Sequence, residues 1–143
     1  MKREEKAVSF FNRGFNCAQS VVLAHADLLD TCESELSGFA AGFGAGMGMV
    51  QSVCGAVSGA VMVIGSLLYR EEDRASSKQL VYSRVNRLIS RFGEEFRCLE
   101  CIDLIGIDIS TPEGMSRAEE EGVFRDRCEK YVAGACRILD EII

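Results

Sequence analysis

The sequence predicts an all-α protein, a compact multi-helix bundle around a buried glycine- and alanine-rich central helix, with no sheet. Apolar residues recur at helical spacing along most of the chain. No segment shows the sustained apolar–polar alternation that is typical of a strand. One stretch, residues 53–69, contains only two serines as polar residues and fits the middle of such a bundle.

Size and charge restrict the class of protein. With 143 residues, 48% hydrophobic and 27% charged, the chain fits a single domain over residues 1–143 and can bury about 68–70% of its unfolded surface. The net charge of −6 disfavours binding to a phosphate backbone, so we expect no nucleic-acid partner. Residues 1–6 are mostly charged and lead into no long apolar segment, so we expect no secretory signal and a cytoplasmic location.

The first part of the chain predicts three helices. Residues 2–14 have apolar residues at helical spacing and predict the first. Asn16 and Gln19 have the spacing of a capping box, which predicts a second helix over residues 17–30. Residues 34–42 predict a short third helix.

Glycine occupies every second position from residue 42 to residue 48. Because glycine interrupts helices and permits close approach, this run predicts a connection that another backbone segment or a ligand approaches closely. We therefore expect Gly44, Gly46 and Gly48, together with Gly55, to be cofactor-binding residues. The run lacks the ending and the preceding strand of a phosphate loop, which disfavours a nucleotide.

The central helix is predicted from Ser52, as its cap, to about Arg70. Gly55 and Gly59 stand four residues apart in it, and this spacing lets a neighbouring helix come close. Residues 53–69 also resemble a membrane span, but they are fewer than the ~20 residues that a span prefers. We therefore prefer a buried helix and expect no membrane span.

Further helices complete the second half. Residues 76–92 predict a fifth helix, with Gly93 as its stop. Residues 94–105 predict a short helix, and the only proline follows in a loop. Ser116 and Glu119 have capping-box spacing, so the last helix is predicted from there to the C-terminus.

Seven cysteines are the unusual feature of the composition. An odd number without a secretory signal argues against a pure disulfide framework and points to metal binding, redox chemistry or buried small residues. Cys17 and Cys54 are predicted at helix starts, where the dipole lowers a thiol pKa, although both also suit a core. Cys98 and Cys101 form one C-x-x-C, which is a weak signal. Cys128 lies inside the last predicted helix, so any role of its thiol depends on the residues that lie near it in space.

Histidine and methionine residues add little support for a metal site. His25 is the only histidine, which excludes a multi-histidine site, and we expect it to be a surface residue or a hydrogen-bonded core residue. Met47, Met49 and Met62 are expected to fill the core.

Five segments spanning nearly the whole chain carry a recognisable order of cysteines and glycines: Gly14–Gln19, Gly42–Gly48, Cys54–Ala60, Cys101–Gly106 and Cys128–Val132. In this order they resemble the redox-active C_GCAxxG_C_C family, which is named after its cysteine pattern. The resemblance implies that the family's four cysteines are Cys17, Cys54, Cys101 and Cys128. It leaves three cysteines outside the pattern: Cys32, Cys98 and Cys136. In this chain Cys54 precedes Gly55, whereas the family label has glycine before cysteine.

The resemblance implies a redox protein whose four thiols are both its catalytic residues and its candidate metal ligands: Cys17, Cys54, Cys101 and Cys128. They either bind zinc or an iron–sulfur cluster or cycle between dithiol and disulfide, in an oxidoreductase or electron-transfer protein with an unidentified redox partner protein. The alternatives are a non-catalytic helical module that binds a partner protein and a membrane-associated subunit that uses residues 53–69. A homo-oligomer is compatible with either class. The redox hypothesis requires that sulfur atoms far apart in the chain meet when the helices pack.

Overall fold

The computed structural model describes residues 1–143 and contains eight helices and no strand, which confirms the predicted all-α class. The helices are α1 (Arg3–Asn12), α2 (Cys17–Ala24), α3 (Glu33–Ala41), α4 (Gly55–Leu68), α5 (Arg74–Phe96), α6 (Cys101–Ile105), α7 (Pro112–Glu120) and α8 (Glu129–Ile142). Shorter elements connect them: a glycine-rich turn (Gly44–Met47), two 3₁₀ turns (Ala26–Leu28 and Glu71–Asp73) and a π-helical segment (Phe124–Cys128).

Helix α4 is the buried central helix that the sequence predicts. It contacts α2, α5 and α8, and its Val57, Val63 and Ile64 are buried in the main core. Phe92 from α5 and Leu139 from α8 complete the same core. No helix of the chain combines the length and the apolar character that crossing a membrane requires.

The spacing of Gly55 and Gly59 does bring a neighbouring helix close to α4. A Cβ atom built on Gly59 would lie 2.7 Å from the carbonyl oxygen of Ala18, and one built on Gly55 would lie 2.4 Å from the sulfur of Cys17. Both distances are shorter than van der Waals contact, so α2 packs at this distance only because α4 has no side chain there.

The start of α2 agrees with the sequence, and its end does not. Asn16 and Gln19 form the predicted capping box, in which each side chain accepts the other residue's backbone N–H at 2.9 Å. The helix ends at Ala24 because the buried ring of His25 bonds the carbonyl oxygen of Val21 at 2.8 Å. That carbonyl would otherwise accept the backbone N–H of His25, which bonds Val22 instead and starts the 3₁₀ turn.

We expected His25 to be either a surface residue or a hydrogen-bonded core residue, and it is the latter. Its second ring nitrogen lies 2.9 Å from a carboxylate oxygen of Asp140. Both ring nitrogens therefore have partners within the protein.

Two further helix starts were predicted wrongly. Ser52 does not cap α4, which begins at Gly55, because the backbone of residues 51–54 hydrogen-bonds to residues 99–102. Ser116 and Glu119 lie inside α7, whose cap is Thr111, with Pro112 at the first helical position. Helix α7 ends before α8 begins, so the predicted last helix is two helices.

The middle of the second half also differs from the prediction. Helix α5 continues through Gly93 and ends at Phe96, where Arg97 takes the left-handed conformation at φ 72°. Because Arg97 turns the chain away, the predicted helix over residues 94–105 is reduced to α6. Cys98 and Cys101 therefore do not share a helix.

The methionine prediction is only partly correct. Met62 is partly buried and packs against the core. Met47 and Met49 are 56% and 41% exposed. They take positive φ angles of 71° and 70° in and beside the glycine-rich turn, which leaves their side chains outside the core.

Two glycines of α4 offer a matched test of the α2–α4 contact. We expect Gly59→Ala to lower the free energy of unfolding by about 1–3 kcal/mol, because the methyl group meets the Ala18 backbone. Gly65→Ala meets no atom within 4 Å and should raise it by about 0.5–1 kcal/mol through helix propensity. Urea unfolding measures both. Equal effects of the two substitutions would contradict the contact.

Candidate functional site

A cavity of about 180 Å³ lies where the main core meets a smaller apolar cluster. Four cysteines line it: Cys17, Cys54, Cys101 and Cys128. Most of the remaining wall is aliphatic or aromatic and includes Phe11, Leu104, Ile105, Ile109, Phe124 and Tyr131. Thiols that are far apart in the sequence therefore meet at one place in the fold.

Backbone pairing outside the helices holds Cys54 and Cys101 side by side. The Cys54 N–H donates to the carbonyl oxygen of Leu99 at 2.8 Å, and the Cys101 N–H donates to that of Ser52 at 2.7 Å. A single antiparallel β-bridge lies between these two bonds. Cys101 is consequently the first residue of α6, and Cys54 directly precedes α4.

Cys17 lies where two helix starts meet. It is the first residue of α2, and its sulfur lies against Gly55, the first residue of α4. Four backbone N–H groups lower the pKa of its thiol, those of Cys17, Ala18, Ala45 and Gly55. Burial acts in the opposite direction and is the larger effect, so the pKa of Cys17 is raised.

Burial dominates the other three thiols as well. It raises the pKa of Cys54 well above its ordinary value, and it raises the pKa of Cys101 to about 11 and that of Cys128 to about 12. The guanidinium of Arg127, which donates to the carbonyl oxygen of Ile105, lowers the pKa of Cys128 only in part. Desolvation outweighs the backbone N–H groups, so the net pKa of Cys17 and Cys54 is raised, although those groups lower it as expected for helix starts. These shifts favour the neutral, protonated form of all four thiols.

Gln51 is a site residue that the sequence did not reveal. It is buried, with φ 60°, and its side chain donates to the carbonyl oxygen of Ile107 at 2.9 Å and accepts the N–H of Ile109 at 2.8 Å. It also lowers the pKa of Cys101. No pattern marks it, since one polar residue after a glycine run also fits an exposed turn.

Protein atoms closely approach most of the candidate cofactor-binding glycines. A Cβ atom on Gly44 would lie 2.4 Å from the Asn16 side chain, and one on Gly46 would lie 2.6 Å from backbone later in the same loop. Gly48 takes φ 57°, and Gly55 lies against Cys17. Close approach by other parts of the chain is confirmed at Gly44, Gly46 and Gly55. A cofactor-binding role for the four glycines stays a prediction.

The thiols as placed do not form a metal-ligand set. No group of three or more His, Cys, Asp and Glu side chains has the geometry to hold a metal ion, and all seven cysteines are free thiols. A role of the four cavity cysteines as zinc or cluster ligands stays a prediction. Of the other cysteines, Cys32 is exposed, Cys136 is buried, and Cys98 does not line the cavity.

Burial and raised pKa predict slow alkylation of the cavity thiols. In the folded, reduced protein at pH 7.5, we expect iodoacetamide to modify exposed Cys32 first, with the cavity thiols slower by about tenfold or more because few are ionised. Peptide mass spectrometry over time gives the order. Equal rates for Cys32 and Cys128 would show that the cavity thiols are ordinary exposed ones.

Comparison with known proteins assigns the chain to a family. The family model described as "Putative redox-active protein (C_GCAxxG_C_C)" matches residues 15–142, a range that includes every cysteine of the cavity. No curated protein and no solved structure matches the chain. The family match confirms the resemblance seen in the cysteines and glycines. The chain therefore belongs to the redox-active C_GCAxxG_C_C family.

Proposed function

We propose that the protein is a thiol–disulfide redox protein, in which two of the four cavity thiols are oxidised to a disulfide and reduced again. The observation that supports this most is the meeting of Cys17, Cys54, Cys101 and Cys128 at one cavity. Membership of a redox-active family agrees with it.

The charge balance of the cavity favours this chemistry. Oxidation of two thiols forms one S–S bond and releases two protons and two electrons, so the site is neutral before and after. No charged side chain lines the cavity, and an unpaired buried charge is costly. A zinc or iron–sulfur centre would need thiolates about 2.3 Å from a metal ion, and the side chains would have to move to provide such a set.

Cys17 is the best candidate for the attacking thiol. Disulfide chemistry proceeds through a thiolate, and among the four only Cys17 has four backbone N–H groups to stabilise one. It also raises the pKa of each of the other three thiols, so it interacts with all of them. We therefore place Cys17 in the disulfide, with its partner among Cys54, Cys101 and Cys128.

Thiol counting tests this proposal. In a Cys32→Ser background, which removes the exposed thiol, we expect diamide to lower the free-thiol count by two and dithiothreitol to restore it. Adding Cys17→Ser should abolish the fall, whereas adding Cys98→Ser, outside the cavity, should leave a fall of two. A Cys17→Ser protein that still loses two thiols would contradict the role of Cys17. A background protein that loses none would contradict the proposal itself.

The raised thiol pKa values predict how the midpoint potential depends on pH. A couple of two protons and two electrons falls by about 59 mV per pH unit while both thiols stay protonated. Because burial raises the pKa of Cys17 and raises those of Cys101 and Cys128 to about 11 and 12, the slope should stay constant from pH 6 to beyond pH 8.5, where ordinary thiols ionise. Redox titration in glutathione or dithiothreitol buffers measures it. A slope that flattens near pH 8.5, as it would for ordinary thiols, contradicts the buried couple.

A further inference from the structure

We propose that the cavity binds a small, neutral, single-ring quinone, which accepts the electrons of the dithiol. The inference rests on the proposed thiol–disulfide function and adds the chemical class of the oxidant.

The polar groups of the cavity wall are already engaged within the protein. The Asn16 side chain accepts the N–H of Gln19 and donates to the carbonyl oxygen of Ala41. The hydroxyl of Tyr131 donates to the carbonyl oxygen of Leu104 at 2.7 Å. No Lys, Arg, Asp or Glu lines the cavity. A phosphate, a carboxylate or a charged peptide would lose its hydration there without gaining a counterion, so the ligand must be uncharged.

The size of the cavity and its aromatic side chains favour one flat ring. An apolar cavity of about 150 Å³ is known to hold benzene, and this cavity measures about 180 Å³. One ring with a few methyl groups fits such a space, whereas a flavin or a nicotinamide dinucleotide is too large. The aromatic side chains of Phe11, Phe124 and Tyr131 line the wall and offer surfaces against which a flat ring can pack.

A quinone also satisfies the charge balance. Two S–H bonds break and one S–S bond forms, while the two electrons and two protons convert the two carbonyl groups of the quinone into the hydroxyl groups of a hydroquinone. Reactants and products are all neutral, so the reaction leaves no net charge in the cavity. An alkyl hydroperoxide would also give neutral products, an alcohol and water, but its reacting group is not a flat ring that could pack against the aromatic side chains of this cavity.

The test mixes reduced Cys32→Ser protein with duroquinone under anaerobic conditions. Duroquinone is a fully methylated benzoquinone, so its ring carbons carry no position for simple thiol addition. We expect one hydroquinone per protein, loss of two thiols, and a rate that saturates with duroquinone concentration. An anionic, equally substituted benzoquinone that carries a propionate group in place of one methyl group of duroquinone should react more slowly by about tenfold or more, because the cavity excludes charge.

Cavity-filling variants locate the reaction. Leu104→Phe and Ile109→Phe add volume to the wall and should each lower the rate with duroquinone by about tenfold or more. Leu80→Phe makes the same type of change at a residue that is 40% exposed in α5, and should keep the rate. Circular dichroism shows whether each variant is folded. Two cavity variants are made because the test needs only one of them to fold.

Several outcomes would overturn the inference. One is thiol oxidation that is no faster with duroquinone than with the anionic quinone. Another is oxidation by cumene hydroperoxide but not by duroquinone. A third is an unchanged rate with duroquinone in a folded cavity-filling variant. Diamide separates this failure from failure of the proposed function. If diamide removes two thiols and duroquinone does not, only the quinone inference fails; if neither does, the dithiol couple fails with it.

Discussion

The arrangement of the thiols depends on the contact between α2 and α4, in which Gly55 and Gly59 leave room for the first turns of α2. Gly59 accommodates the backbone of Ala18, and Gly55 accommodates the sulfur of Cys17. Any side chain at these positions would push the helices apart. The contact brings the starts of two helices together, and the N–H groups at both starts face the same sulfur atom.

Three separate features bring the four cysteines to one cavity, although none shares a helix with another. Cys17 is placed by α2, Cys54 and Cys101 by the short pairing of residues 51–54 with residues 99–102, and Cys128 by the π-helical segment before α8. Apolar walls then raise the pKa of every thiol. Burial thus favours chemistry in which the sulfur atoms change bonding partners without leaving charge behind.

The sequence predicted the parts of the fold that local patterns control. The helical class, the capping box of Asn16 and Gln19, and the small-residue face of α4 follow from spacing along the chain. The wrongly predicted helix ends have tertiary causes. The buried ring of His25 bonds a backbone carbonyl of α2 and ends that helix. The backbone after the glycine-rich turn hydrogen-bonds to residues 99–102, which delays the start of α4. The four cavity cysteines were identifiable from a family pattern. Gln51 and the raised thiol pKa values were not, because burial depends on which elements pack together.

Cys17 interacts with each of the other three cavity thiols, and we propose that it forms the disulfide with one of them. The most direct measurement is disulfide mapping by peptide mass spectrometry on diamide-oxidised, alkylated protein. We expect one intramolecular disulfide that joins Cys17 to Cys54, Cys101 or Cys128. A disulfide between Cys98 and Cys101, or any disulfide without Cys17, would contradict it.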